Sequence, residues 1–430
     1  MTKNIYIGLA LCLLCISGCA QKDQENSNIH IEGNKLLVEG SAFMINGMNW
    51  NYRPIGFNYE YNLWSQSDKK IKSVLDTEMS MLQEIGVNSV RIYTGIQPKW
   101  IEYIYQNYGI YTMINYSFGR YGLEIEGNKV SPIHYDDETT QQVLLKEVQE
   151  MVELYTGTQG LLLYLLGNEN NYGLFWKGSE TEDIPTEEDI PTERVLNLYK
   201  ALNLGCTLIK SIDSILPVAI CNGDLQYIDI ITEECKSADI LGINTYRGTS
   251  FGDLFTRAKT HWKKPIMLTE FGADAFDIVK QKEDQNNQAK YLLGNWKEIY
   301  QNADSLGKNN NCVGGFTFQF SDGWWKAGQT KNLDKHDSTA SWENGGYSED
   351  YIKGQNNMNE EWFGICAKEL ADSSGSYTLI PRKAYYILKE IHRINPYQKN
   401  QTIEKLNTNF SNIELSDSLK KSQSSKAISK

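Results

Sequence analysis

Short apolar runs recur along this chain, each bounded by Gly, Asn or Pro. Eight can be counted, at 43–49, 87–93, 110–116, 161–167, 216–221, 240–246, 265–270 and 314–320. Most are apolar at consecutive positions instead of alternating, as expected of parallel strands covered on both faces. Between them lie segments with apolar spacings of three and four. Residues 69–85 place Ile71, Val74, Leu75, Met79, Leu82 and Ile85 on one stripe, and 138–155, 194–212, 285–299 and 381–394 read the same way. Gly86 follows the first of these where a helix-ending glycine belongs. Eight strand-then-helix units is the number that closes a TIM barrel. The pattern therefore predicts the α/β class, with a single (β/α)8 barrel over 41–395 and no second folded domain.

Three loops are long in this reading: 118–137 after strand three, 178–193 after strand four and 321–377 after strand eight. The second contains the acidic near-repeat EDIPTEEDIPTE. The third carries Trp324, Trp325, Trp342 and Trp362. Loops that follow barrel strands gather on one face, so the third is placed to wall a cleft.

The two ends read differently from the middle. Lys3 precedes an apolar run over 5–16 that is too short to span a bilayer, and small residues follow. This is the layout of an export signal over 1–18. It closes on Ile16-Ser17-Gly18-Cys19, which resembles a bacterial lipobox and implies lipid attachment to Cys19. The following QKDQE, 21–25, resembles the signal of some Bacteroidetes surface lipoproteins. The expectation is an outer-membrane lipoprotein, facing the cell surface or the periplasm. Residues 19–40 read as a linker and lead-in, and 396–430 as a polar, disordered tail.

Composition narrows the partners. Fifty-four acidic against 42 basic side chains leave a formal charge of −12, which argues against a nucleic-acid surface. Ten Trp and 26 Tyr suit a protein that stacks on flat apolar faces. Beyond the signal remain Cys206, Cys221, Cys235, Cys312 and Cys366, an odd number with no CxxC pair and no zinc-like spacing. They are expected to be buried thiols, and no metal or organic cofactor is implied.

Candidate chemistry lies at two strand ends. The fourth run continues LLLYLLGNEN and ends on Glu169; the seventh, PIMLTEFG, ends on Glu270. Two carboxyl groups flanking one bond are what glycoside hydrolysis with retention requires, one ionised to attack and one protonated to donate. An apolar strand ending in GNE, about a hundred residues before one ending in TEFG, resembles the signature of clan A retaining glycoside hydrolases. The resemblance covers the barrel alone. It implies that Glu169 is the acid/base and Glu270 the nucleophile. It further implies that Arg91 sits beside the nucleophile, that Asn168 binds the sugar 2-hydroxyl, and that Tyr246 bonds the nucleophile. Asn49, Trp50, Tyr93, Asn115 and Tyr116, also at strand ends, are expected to line the subsite.

One departure matters. Many clan members end strand eight on a Trp that floors the subsite. Here that strand ends Phe318-Gln319-Phe320, and Trp324-Trp325 follow four residues later. Either the pair folds back as part of the subsite or the floor is built differently. The strand motifs resemble family 2 barrels; the lone barrel is similar in layout to families 5, 17 and 72. The start MINGMNWNYRP, with GVNSVRIYTG after a helix, also resembles the glucanosyltransferases of family 72. The expected protein is a monomer acting on a β-linked glucan or related glycan. The alternatives are a β-glucanosyltransferase and an inactive surface glycan-binding lipoprotein.

Overall fold

The structure is a computed structural model that describes residues 28–174, 192–326, 328–339 and 358–415. Cys19, Trp342 and nearly all of the acidic insertion lie outside the described residues. Eight parallel strands close a barrel in chain order: β1 Ile45–Asn49, β2 Ser89–Tyr93, β3 Tyr111–Tyr116, β4 Leu161–Leu166, β5 Val218–Gly223, β6 Ile240–Asn244, β7 Ile266–Phe271 and β8 Cys312–Thr317. β8 pairs with β1, which closes the ring. Every residue of β3, β4, β5 and β8 is buried, which explains their unbroken apolar runs. Phe316 helps fill the barrel, and a Cβ on Gly47 would meet its ring at 2.3 Å.

Helices cover the outside: α1 Asp68–Glu84, α2 Pro98–Tyr108, α3 Glu138–Tyr155, α4 Thr192–Ile212, α5 Ile228–Glu234, α6 Leu254–His261, α7 Gln285–Gln301 and α8 Lys383–Ile391. The apolar stripe of α1 is buried as its spacing predicts. Its start is capped by Ser67, whose side chain accepts from the Lys70 amide. Not anticipated were α2, α5 and α6, which are 11, 7 and 8 residues long. Helices that short show few repeats of a 3.6-residue period. α2 nevertheless carries both punctuation marks, Pro98 in its first turn and left-handed Gly109 after its end.

Three boundaries need correction. Residues 28–42 are no bare lead-in: Ile29–Glu32, Lys35–Val38 and Ser41–Ala42 form a small antiparallel sheet. It packs on β8 and buries Leu36 completely. The tail is not disordered from 396 onward. Ile403–Ser411 is a helix, α9, that buries Leu406 and Phe410, and Phe410 meets the Tyr300 ring of α7 edge-on at 5.8 Å. A single apolar stripe in a polar background was enough. β8 ends at Thr317, before the expected 320.

Beyond β8, Cys366–Leu370 pairs antiparallel with Tyr377–Pro381 and leads into α8. Arg382 pins this excursion from inside. It grips both oxygens of Asp322 at 2.6 and 2.7 Å and reaches Glu283 at 2.6 Å. Among the described residues no helix is long and apolar enough to cross a membrane. All five described cysteines are buried and unpaired.

Candidate active site

The C-terminal ends of the strands converge on Arg91, which is fully buried inside the barrel. Its planar fork ties β2 to β3, to β7 and to the turn after β4. Nη1 donates to Glu270 Oε1 at 2.7 Å and to the Thr269 carbonyl at 3.2 Å. Nε and Nη2 both donate to Asn115 Oδ1, at 2.9 and 2.6 Å, and Nη2 also reaches Asn168 Oδ1 at 2.8 Å. Tyr246 donates to the other oxygen of Glu270, Oε2, at 3.1 Å. Both oxygens of Glu270 are thus held. A register shift between Ile243 and Asn244 sets Asn244 opposite Glu270 and brings the β6 end level with it.

The Gly167–Asn170 turn places Glu169. Gly167 has φ 83°, and a Cβ there would meet Asn170 Oδ1 at 2.8 Å. That same oxygen accepts from the Asn168 amide at 2.7 Å. Glu169 itself is left-handed at φ 56°, a conformation uncommon for residues other than glycine. Asn115 Nδ2 donates to the Leu165 and Gly167 carbonyls at 3.1 and 2.9 Å, so one amide steadies both Arg91 and the turn.

The Glu169 carboxyl is pushed up to about 7, first by burial and then by the charge of Glu270. Arg120, a hydrogen bond from Asn244 and Arg91 pull the other way. Cys221 lies under the same cluster, 3.2 Å from Asn244 Oδ1 and 3.3 Å from the Thr269 hydroxyl. Burial pushes its thiol up to about 11, so it stays protonated at neutral pH. Among the described residues no cluster of His, Cys, Asp or Glu could hold a metal ion.

Of the residues expected here, Arg91, Asn115, Asn168, Glu169, Tyr246 and Glu270 come together. Tyr93 stands at the rim, its hydroxyl 3.4 Å from Arg91 Nη2. Asn49 lies beneath, tying β1 to the Thr269 and Phe316 carbonyls at 3.0 and 3.2 Å. Trp50 and Tyr116 do not line the cleft. Side chains alternate along a strand, and these two follow inward-facing Asn49 and Asn115, so they face the helices. Trp50 donates to Glu78 of α1 at 2.7 Å, and the Tyr116 hydroxyl bonds Glu147 of α3.

The tryptophan pair separates. Trp324 stacks on His336 at 4.8 Å, and His336 on Trp362 at 3.8 Å. Trp325 lies under the Arg53 guanidinium at 5.0 Å. Half-buried Phe318 stands beside Tyr246 instead, ring centres 6.3 Å apart.

Three participants were missed. Asn244 donates to Asn168 Oδ1 at 3.0 Å and accepts from Thr269 at 2.7 Å. It sits two residues before Tyr246, and strand alternation could have found it. Tyr121 accepts from Asn168 Nδ2 at 2.7 Å, and Arg120 acts on Glu169 from the same loop. Neither has a sequence signal.

A closed (β/α)8 barrel with paired carboxyls at the ends of β4 and β7 defines the class of molecule. No family model and no curated protein matches the sequence. Solved structures do match in fold. A family 2 β-galacturonidase from Eisenbergiella tayi, bound to galacturonate, superposes with a TM-score of 0.54 at 15% identity, over 86% of this chain and 55% of that one. The β-D-glucuronidase of Dictyoglomus thermophilum gives 0.53 at 16%, over 86% and 54%. The β-glucuronidase of Bifidobacterium dentium gives 0.54 at 15%, over 86% and 50%. This chain therefore spans about half the length of the enzymes whose barrel fold it shares.

Proposed function

We propose that this chain is a retaining β-glycoside hydrolase that cleaves a β-linked glucan or a related polysaccharide or oligosaccharide by double displacement. The observation that carries the reading is the unlike treatment of two neighbouring carboxyls. Glu270 has a donor on each oxygen, from Arg91 and Tyr246, as suits an attacking carboxylate. Glu169, held up to about 7, still carries its proton at mildly acidic pH, where an ordinary carboxyl is ionised. Glu270 attacks the anomeric carbon, the glycosidic C–O bond breaks, and Glu169 gives its proton to the departing oxygen. Glu169 then takes a proton from water, which displaces Glu270 from the sugar. The family resemblance assigns Asn168 to the sugar 2-hydroxyl.

The structural neighbours are named for uronides, whereas a β-linked glucan or related glycan is proposed for this chain. For location we propose a lipid anchor on Cys19 in the outer membrane, which rests on the ISGC box.

Azide rescue tests the two roles. In Glu270→Gly, azide attacks in place of the carboxylate and gives the α-glycosyl azide from an activated β-glycoside. In Glu169→Ala, a good leaving group still departs, azide attacks the covalent intermediate, and the β-glycosyl azide results. The same anomer from both variants, or near-wild-type turnover in either, would remove this pair from the reaction.

A further inference from the structure

Among the described residues, the exposed aromatic rings gather on one face of the barrel. Among the described residues, the large hydrophobic side chains that stand exposed divide into two sets. The aliphatic ones are Leu154 and Leu204 on outer helices, Ile215 just after one, and Val279 and Leu370, single side chains in the excursions after β7 and β8. The aromatic ones are Phe57, Tyr59, Tyr93 and Tyr121, exposed by 42, 53, 37 and 46%. All four follow or end β1, β2 or β3, on the face that holds Glu169 and Glu270. Tyr93 and Tyr121 belong to the cleft through Arg91 and Asn168. Phe57 and Tyr59 have no part in that network.

The Phe57–Tyr59 loop is not loose. Gly56 donates its amide to the Leu333 carbonyl at 3.0 Å, and Asn58 Nδ2 donates to the Gln329 carbonyl at 3.1 Å. Arg53 holds the loop from beneath, donating to the Asn58 and Tyr61 carbonyls at 3.1 and 2.9 Å. The same guanidinium lies 5.0 Å over the Trp325 ring. Tyr59 stands 6.2 Å from Trp325, and Phe57 stands 5.3 Å from Tyr61. The loops after β1 and β8 are thus laced together and present aromatic rings to solvent in fixed positions. Keeping such rings exposed forgoes their burial, and a contiguous exposed apolar patch marks a binding surface.

We propose that Tyr59, Phe57 and Trp325 form a distal sugar platform, which receives the C–H faces of pyranose units remote from the cleavage point of a β-linked oligosaccharide. The proposal rests on the glycoside hydrolase reading and deepens it, since a platform outside the reacting subsite selects chains over single sugars. Continuity carries the choice of occupant. The segment from Phe318, beside Tyr246, to Trp325 spans at most roughly 25 Å even when extended. One glycan chain reaches both places.

The test is calorimetric binding to the di- and hexasaccharides of the β-1,3- and β-1,4-gluco series, in the full chain carrying Glu270→Gln so that the ligand is not cleaved during the titration. This form should bind the hexasaccharide of one series at least roughly tenfold more tightly than its disaccharide. Adding Tyr59→Ala should erase that length dependence without changing the melting temperature, and adding Tyr59→Phe, which keeps the ring, should retain it. Equal affinity for both lengths in both series overturns the platform, as does length dependence that survives Tyr59→Ala. Failure of the underlying reading shows elsewhere, as undiminished turnover of an activated β-glycoside by Glu270→Ala.

Discussion

Replacing Glu169 by Gln should make the protein harder to unfold at pH 8 and alter it little at pH 4.5. The carboxyl titrates near 7 in the folded chain, against an ordinary value of 4.5. Below 4.5 both the folded and unfolded forms carry the proton, and there is no penalty. Between 4.5 and 7 the unfolded chain releases the proton while the folded chain keeps it, so stability falls as pH rises. Above 7 both are ionised and the loss is complete. The gap between the two values corresponds to about 3 kcal/mol. Gln has the same shape and no charge, so the wild type and the variant should diverge from pH 4.5 and run parallel above 7. In a barrel of this size the difference amounts to a few degrees of melting temperature. Thermal unfolding followed by circular dichroism at pH 4.5, 6 and 8 reads it directly. A second variant apportions the cause. Burial ranks above the charge of Glu270, so Glu270→Gln should shrink the pH-dependent part of the penalty without abolishing it. Curves for wild type and Glu169→Gln that stay parallel from 4.5 to 8 would refute the account, because the carboxyl would then titrate alike in both states.

The remaining expectations concern activity and location. The alkaline limb of kcat/KM should fall near pH 7 as Glu169 loses its proton, and should flatten in Glu169→Gln on a substrate whose leaving group needs no acid; an unmoved limb assigns that proton to another group. Tyr246→Phe removes one hydrogen bond to a carboxylate, worth about 1.5–3 kcal/mol, so kcat/KM should drop by roughly 10- to 100-fold with folding intact. A drop of less than twofold would show that the 3.1 Å contact does nothing in the transition state. Cys19→Ala should move the protein from the membrane to the soluble fraction, and a variant still sedimenting with membranes would end the lipid-anchor reading.

Much of the barrel was legible because its signals are local. A run of apolar residues that ends in GNE or TEFG announces both a strand and what stands at its end. The carboxyl pair needed nothing more, since barrel closure brings the ends of all parallel strands to one face. Arg91 and Tyr246 were reachable through the family resemblance, and the structure places both on Glu270. The lining of the cleft was read less well. Trp50 and Tyr116 lie one residue past Asn49 and Asn115, and that single step turns each ring to the helices.

The chain by itself determined the fold class, the strand count and the two carboxyls, because these depend on periodicity and on position within a segment. Tertiary structure alone decided which parity of each strand faces the axis. In a parallel barrel both faces of a strand are buried, so the alternation that would mark inside from outside is erased. It also decided that Tyr121 meets Asn168, that Arg382 locks the excursion after β8, and that Leu406 and Phe410 bring a polar tail back onto α7. Each of these joins residues far apart in sequence, and a contact of that kind exists only once the barrel has closed.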